Sequence, residues 1–252
     1  MSASPDPVLD GWVHSVFTAA GCTHPVYRKG SGPVVIVVHE IPGITPAVTT
    51  FAEEVVAAGF TVAMPLLVGE AGRSPSPGYL LSSVARVCVS KEFSNWAVGN
   101  TSPVIAWLRA LARSLHGEVG GVGVGAIGMC FSGGFALGMM VDDLMVAPVL
   151  SQPSLPFAVG HPSRKGDVGL SPDDRLVVAE RAAAGCQVLG LRFTGDSLVG
   201  TRFDSLRQLL GDAFIAVEFE SPHPKAHSVL TEHRQQEGVD RVLQFLRERL
   251  LT

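Results

Sequence analysis

Apolar residues in this chain fall into short unbroken runs and helical stripes, and the two kinds alternate. Val34–Val38 is a continuous β-branched run bounded by Ser31-Gly32-Pro33 and His39, which suits a strand covered on both faces. Thr45-Pro46 predicts a helix opening there and running to about Ala58, closed by Gly59. Residues 60–64 read as the next strand. Further on, the pattern predicts helix over 103–116, strand over 120–127, a helix after Gly134, strand over 144–150, helix over 173–184, strand over 187–194, helix over 201–210, strand over Phe214–Phe219 and an amphipathic terminal helix over 232–250. Residues 12–17 and 25–28 suit a peripheral antiparallel hairpin. Such alternation predicts an α/β fold, a doubly wound and mostly parallel sheet flanked by helices, in one domain over 1–252. Two segments break the rhythm. Residues 65–101 and 151–172 are rich in Pro, Gly and Ser, and segments of this length are usually functional or partly helical. Both are expected to shape a pocket.

Composition narrows the classes. At 252 residues, with 46% apolar and 17% charged, the chain can bury a large core. Its apolar runs are too short to span a bilayer. The first residues, Met-Ser-Ala-Ser-Pro-Asp-Pro, lack the basic-then-apolar order of an export signal. A net charge of −4 argues against nucleic acid or an anionic membrane as partner. The four cysteines, Cys22, Cys88, Cys130 and Cys186, form no CxxC pair, so neither a zinc site nor a disulfide framework is expected and a reducing cytoplasm fits.

The chemistry centres on Gly128-Met129-Cys130-Phe131-Ser132-Gly133-Gly134, which follows a buried strand and precedes a helical pattern. A strand can turn into a helix this sharply only where neighbouring side chains are small, and the residue at the apex is then thrust outward as a nucleophile. Here that residue is Cys130, and a helix opening there would turn its positive end toward the sulfur. Buried as a plain small hydrophobe, Cys130 would need no such flanking glycines. Ser132 is the other conceivable nucleophile, but it lacks a glycine two residues earlier. A thiol needs a base, usually His, and the His needs a carboxylate to fix its tautomer. In a parallel sheet the site lies at the carboxyl ends of the strands. Loops leaving those ends carry Glu40, Asp196 and His227. Cys130, Asp196 and His227 follow the order nucleophile, acid, histidine of α/β hydrolases. Taken singly, Asp196 reads equally as a turn aspartate, and His223 rivals His227. The oxyanion donors in this scheme are the N–H groups of Phe131 and Ile41, since Pro42 has none.

These motifs, His39-Glu40-Ile41-Pro42-Gly43, the Cys130 elbow, Thr194-Gly195-Asp196 and Ala226-His227-Ser228, resemble those of the dienelactone hydrolase family of the α/β-hydrolase fold. The resemblance runs from about residue 24 to the end. It implies a Cys130-His227-Asp196 triad, a Glu40 that meets the thiol at rest and helps form the thiolate, an ester or lactone of a small molecule as substrate, and no metal or organic cofactor. Two positions depart from the founding enzymes. Ser132 replaces a glycine, and Thr231 replaces an arginine that binds a substrate carboxylate; Arg86 is the candidate for a second such arginine. Trp96 and Phe157 are candidates for the apolar wall of the pocket. The expectation is a cytoplasmic hydrolase, monomeric or homodimeric. An acyl thioesterase, or a non-catalytic thiol-sensing or binding protein on the same fold, stand as alternatives.

Overall fold

The computed structural model describes residues 9–93, 96–158 and 162–251. Eight strands form one sheet: β1 (Val13–Ala19), β2 (Cys22–Lys29), β3 (Val34–Val38), β4 (Thr61–Pro65), β5 (Val124–Met129), β6 (Met145–Ser151), β7 (Val188–Phe193) and β8 (Phe214–Phe219). Their order across the sheet is β1-β2-β4-β3-β5-β6-β7-β8. β1 and β2 form the expected antiparallel hairpin, β2 pairs antiparallel with β4, and every later pairing is parallel. Each face carries its own core, which the period of two along the strands explains: Val34, Ile36 and Val38 face one core, Val35 and Val37 the other.

Helices α1 (Pro46–Ala57) and α7 (Gln236–Leu250) cover one face through Phe51, Val55, Val242 and Phe245. The other face is covered by α3 (Val104–Val119), α4 (Phe135–Met139), α5 (Pro172–Ala183) and α6 (Arg202–Leu210), through Trp107, Phe135, Val178 and Phe203. Among the described residues no helix is long and apolar enough to cross a membrane.

One local outcome fills in the sequence expectation and two depart from it. The 65–101 segment contains a helix, α2 (Pro77–Val89), capped by Ser76, whose side chain accepts from Tyr79 N. Its inward face is Tyr79, Ser83 and Val87, whereas Leu80, Leu81 and Val84 are exposed, so no clean apolar stripe announces it. The terminal helix begins at Gln236, not 232. The preceding residues turn instead, with His233 N and Arg234 N donating to Ser228 O and Thr231 O. The elbow opens as a 3₁₀ turn over Cys130–Ser132, and the α-helix after it has only five residues. A macrodipole aimed at the sulfur is therefore a minor influence.

Candidate active site

The carboxyl ends of β3, β5, β7 and β8 converge on one cavity. Cys130 follows β5 with φ +56, a conformation rarely taken by a residue with a side chain. What holds it there is crowding and hydrogen bonding. A Cβ on Gly128 would come within 2.1 Å of Ser132 O, and one on Gly133 within 2.5 Å of Pro153 Cα. Ser132 Oγ accepts from Met129 N at 2.9 Å and lies 3.0 Å from both Val38 O and His39 O, so it ties the elbow to the end of β3. Ser132 is thus more than a small residue permitting the turn. Cys130 O accepts from Gly133 N and Ser154 N.

His227 Nδ1 meets Asp196 Oδ2 at 2.6 Å. Asp196 is buried, and its second oxygen accepts from Leu198 N at 3.0 Å. The rival His223 is exposed and packs against His233, 4.9 Å between ring centres. His227 Nε2 is buried and completes no hydrogen bond of ordinary geometry, although the Cys130 sulfur is close enough to act on the ring. Catalytic hydrogen bonds are often long or misaligned before substrate binds. Burial alone would push His227 down. The Cys130 sulfur and the Asp196 carboxylate outweigh it, and the imidazole titrates well above the ordinary histidine range.

Glu40 is buried against hydroxyl and amide donors. Ser228 Oγ donates to it at 2.6 Å, Gln152 Nε2 at 3.3 Å, and Thr231 Oγ1 to its other oxygen. Cys130 is not among these partners. Burial pushes the Glu40 carboxyl up, against the opposing pull of Ser228, Thr231 and His227. The carboxyl is thus held by neutral donors, with no Arg or Lys among the partners described. Ser228 stood within the Ala226-His227-Ser228 motif without a role, and Gln152 and His233, whose Nδ1 accepts from His227 N and Ser228 N, carry no sequence signal of their own. Only the departure at Thr231 was visible beforehand.

The cavity has a volume of about 480 Å³ and is lined by Cys130, His227, Glu40, Ser228, Glu232 and His233 on its polar side. Ile41, Pro42, Leu80, Val84, Phe157 and Leu198 form its apolar wall. Among the described residues no Arg or Lys lines it. Phe131, beside Cys130, is fully buried in an aromatic cluster with Phe93, Phe135 and His39. Two expected contacts fall elsewhere. Arg86 lies beyond this cavity and lines a second one with His24, Ser90 and Glu92, because α2 turns it away from Cys130. Trp96 is 44% exposed and packs on Phe157 at 5.6 Å from outside, without lining the cavity.

Comparison with known proteins follows the same lines. No curated protein matches this sequence. A proposed dienelactone hydrolase from Klebsiella pneumoniae subsp. pneumoniae shares the fold at 18% identity and TM-score 0.63, with 94% of this chain and 97% of that one covered. A cold-adapted esterase from an Arctic intertidal metagenomic library does so at 17% identity and TM-score 0.59, covering 99% and 100%. The thioesterase domain from the curacin biosynthetic pathway does so at 12% identity and TM-score 0.57, covering 94% and 99%. These similarities establish the α/β-hydrolase fold. Residues 22–152, from β2 through the Cys130 elbow to the end of β6, match the dienelactone hydrolase family, and the chain therefore belongs to that family of hydrolases acting on ester bonds.

Proposed function

We propose that this protein is a cysteine hydrolase that cleaves neutral, apolar carboxylic esters. The observation that carries the reading is that Cys130 and His227 open on one cavity while Asp196 holds the far side of the imidazole at 2.6 Å. Cys130 gives its proton to His227, and its sulfur forms a bond to the ester carbonyl carbon. The oxyanion so formed accepts from the Phe131 and Ile41 N–H groups, donors that typically contribute about 3 kcal/mol each. The carbon–oxygen bond of the leaving alcohol then breaks, and His227 protonates the alkoxide. Water attacks the resulting thioester, His227 takes its proton, and the acid leaves with regeneration of the thiol. Asp196 fixes Nδ1 and stabilises the imidazolium that forms when Nε2 takes the proton, which is then delivered to the leaving alkoxide.

The substrate class follows from the lining. An anionic substrate would enter a cavity bearing Glu40 and Glu232 with no Arg or Lys to receive it, at the desolvation cost of an unpaired charge. A short acyl chain instead covers Ile41, Leu80, Val84 and Phe157. The test is turnover of p-nitrophenyl butyrate by wild type and Cys130→Ala, beside a p-nitrophenyl ester carrying a terminal carboxylate. Cys130→Ala is expected to lose about 10³-fold or more in kcat. The anionic ester is expected to lose at least about tenfold in kcat/KM, the equivalent of 1.4 kcal/mol. Equal rates for wild type and Cys130→Ala overturn the catalytic reading. Preference for the anionic ester overturns the substrate class. A reactive Cys130 with no ester turnover favours the thiol-sensing alternative.

A further inference from the structure

At β2, outside the cavity that Cys130 lines, a second group of side chains converges that the hydrolytic scheme does not use. Cys22 and His24 sit two apart on β2, so both side chains leave the same face of the strand. Glu92 reaches them from the turn after α2. The ligand atoms of all three lie within 4.8 Å of one another, with His24 Nε2 and Glu92 Oε2 only 2.9 Å apart. We propose that Cys22, His24 and Glu92 form a binding site for a thiophilic divalent cation, with Zn²⁺ the best fit.

The donor set suits this ion. Thiolate and imidazole select zinc over the harder cations that prefer oxygen alone. One thiolate and one carboxylate balance the two positive charges. Tetrahedral zinc with bonds of about 2.3 Å to sulfur and about 2.0–2.1 Å to nitrogen and oxygen holds its ligands roughly 3.5 Å apart, so the widest separation closes by at most about 1.3 Å while the 2.9 Å His24–Glu92 pair opens slightly. Glu92 is the most exposed of the three, so its carboxylate can turn to open the close His24 pair as the ion enters. Its main chain is anchored, since Ser90 Oγ accepts from Glu92 N and Glu92 O accepts from Val104 N. His24 is oriented by Trp107, whose ring meets it edge-on at 5.0 Å. Three ligands on supported elements leave one coordination position open. His24 and Glu92 both line a cavity of about 420 Å³, shared with Arg86 and Ser90, that is polar and open enough to admit the ion and a water.

Without metal, burial and then Glu92 hold the Cys22 thiol in its protonated form. Loading is an exchange in which the Cys22 S–H bond breaks, a sulfur–metal bond forms, and one proton leaves to solvent.

The test uses the full chain with Cys130→Ala, which removes the elbow thiol as a competing ligand. Equilibrium dialysis against Zn²⁺ is expected to give one bound ion per chain. Co²⁺ in its place is expected to give a thiolate-to-metal charge-transfer absorption. In the same background Cys22→Ser is expected to abolish that absorption, and Glu92→Gln or His24→Gln to weaken Zn²⁺ binding at least about tenfold. Glu92→Gln perturbs only a partly exposed side chain, so it remains informative should a strand variant fold poorly. Failure to bind Zn²⁺ overturns the assignment, as does equal affinity in Glu92→Gln and Cys22→Ser or a cobalt absorption that survives Cys22→Ser.

Discussion

Two histidines, one after β3 and one after β8, have opposite electrostatic fates, and each makes a testable statement. His227 is raised because a sulfur and a carboxylate flank it. Its tautomer depends on Asp196, and Asp196→Asn would offer Nδ1 an N–H donor as readily as an acceptor. That change is expected to lower kcat on p-nitrophenyl butyrate by about 10³-fold or more, with little change in fold. A loss below about tenfold would remove Asp196 from the triad. His39 is fully buried and neutral. Its Nδ1 donates to Glu40 O at 2.8 Å, and its Nε2 accepts from Leu67 N at 3.0 Å. Burial pushes its pKa down to about 4. The unfolded chain, with a histidine near 6.5, then binds the extra proton first as pH falls. The stability owed to His39 is therefore fully present above pH 6.5 and fades between about pH 6.5 and 4, by about 3 kcal/mol in total. Denaturant unfolding at pH 7 and pH 4 should lose about that much more in wild type than in His39→Gln. Equal losses would show that His39 is not buried in its neutral form.

The strand-turn-helix around Cys130 is the element in which packing sets the position of the sulfur. Gly128 and Gly133 allow the chain to fold back on itself where Ser132 O and Pro153 Cα approach. Gly128→Ala should cost about 3 kcal/mol of stability by overpacking and abolish esterase activity in the protein that still folds. Gly134→Ala is the control. A Cβ there would meet Val168 O at an ordinary 3.5 Å, so it should change stability by less than about 1 kcal/mol. Similar behaviour of the two variants in thermal unfolding would contradict a steric origin for the elbow. Helix α2 matters differently. Its half-exposed Leu80 and Val84 have no core to enter, and they line the cavity instead. An apolar surface left on a helix beside a catalytic cleft serves substrate rather than folding.

Across the whole molecule, the buried Arg202 ties the loop that carries Asp196 to the irregular 151–172 segment. Arg202, on α6, is fully buried and donates to the carbonyls of Asp167, Arg164, Leu198 and Val199 at 2.8–2.9 Å, and also to Pro156 O. Two of these acceptors lie just after Asp196, and the others belong to the irregular 151–172 segment. Burial pulls the Arg202 pKa down to about 10, which leaves it charged at neutral pH. Arg202→Met would strand five carbonyls, three of them buried. It is expected to destabilise by about 3 kcal/mol or more, read by urea unfolding, and a loss under about 1 kcal/mol would mean that water takes its place.

Much of this architecture was legible in the chain alone, for a physical reason. A parallel strand is buried on both faces, so Val34–Val38 announces itself without context, and capping residues such as Thr45-Pro46 mark helix starts locally. The small residues that let the chain bend at Cys130 are equally local. Tertiary structure alone decided what depends on contacts between distant residues. α2 buries Ser83 and exposes Leu80, and no periodicity reveals such a face. Arg86 was expected to receive a substrate carboxylate, but the helix that carries it turns it into a different cavity. Glu40 finds its donors at Gln152, Ser228 and Thr231, between 112 and 191 residues away. Local sequence sets which residues can bend, cap or pair, whereas the charge state of a buried carboxyl and the sign of a cavity are sums over neighbours that only the folded chain brings together.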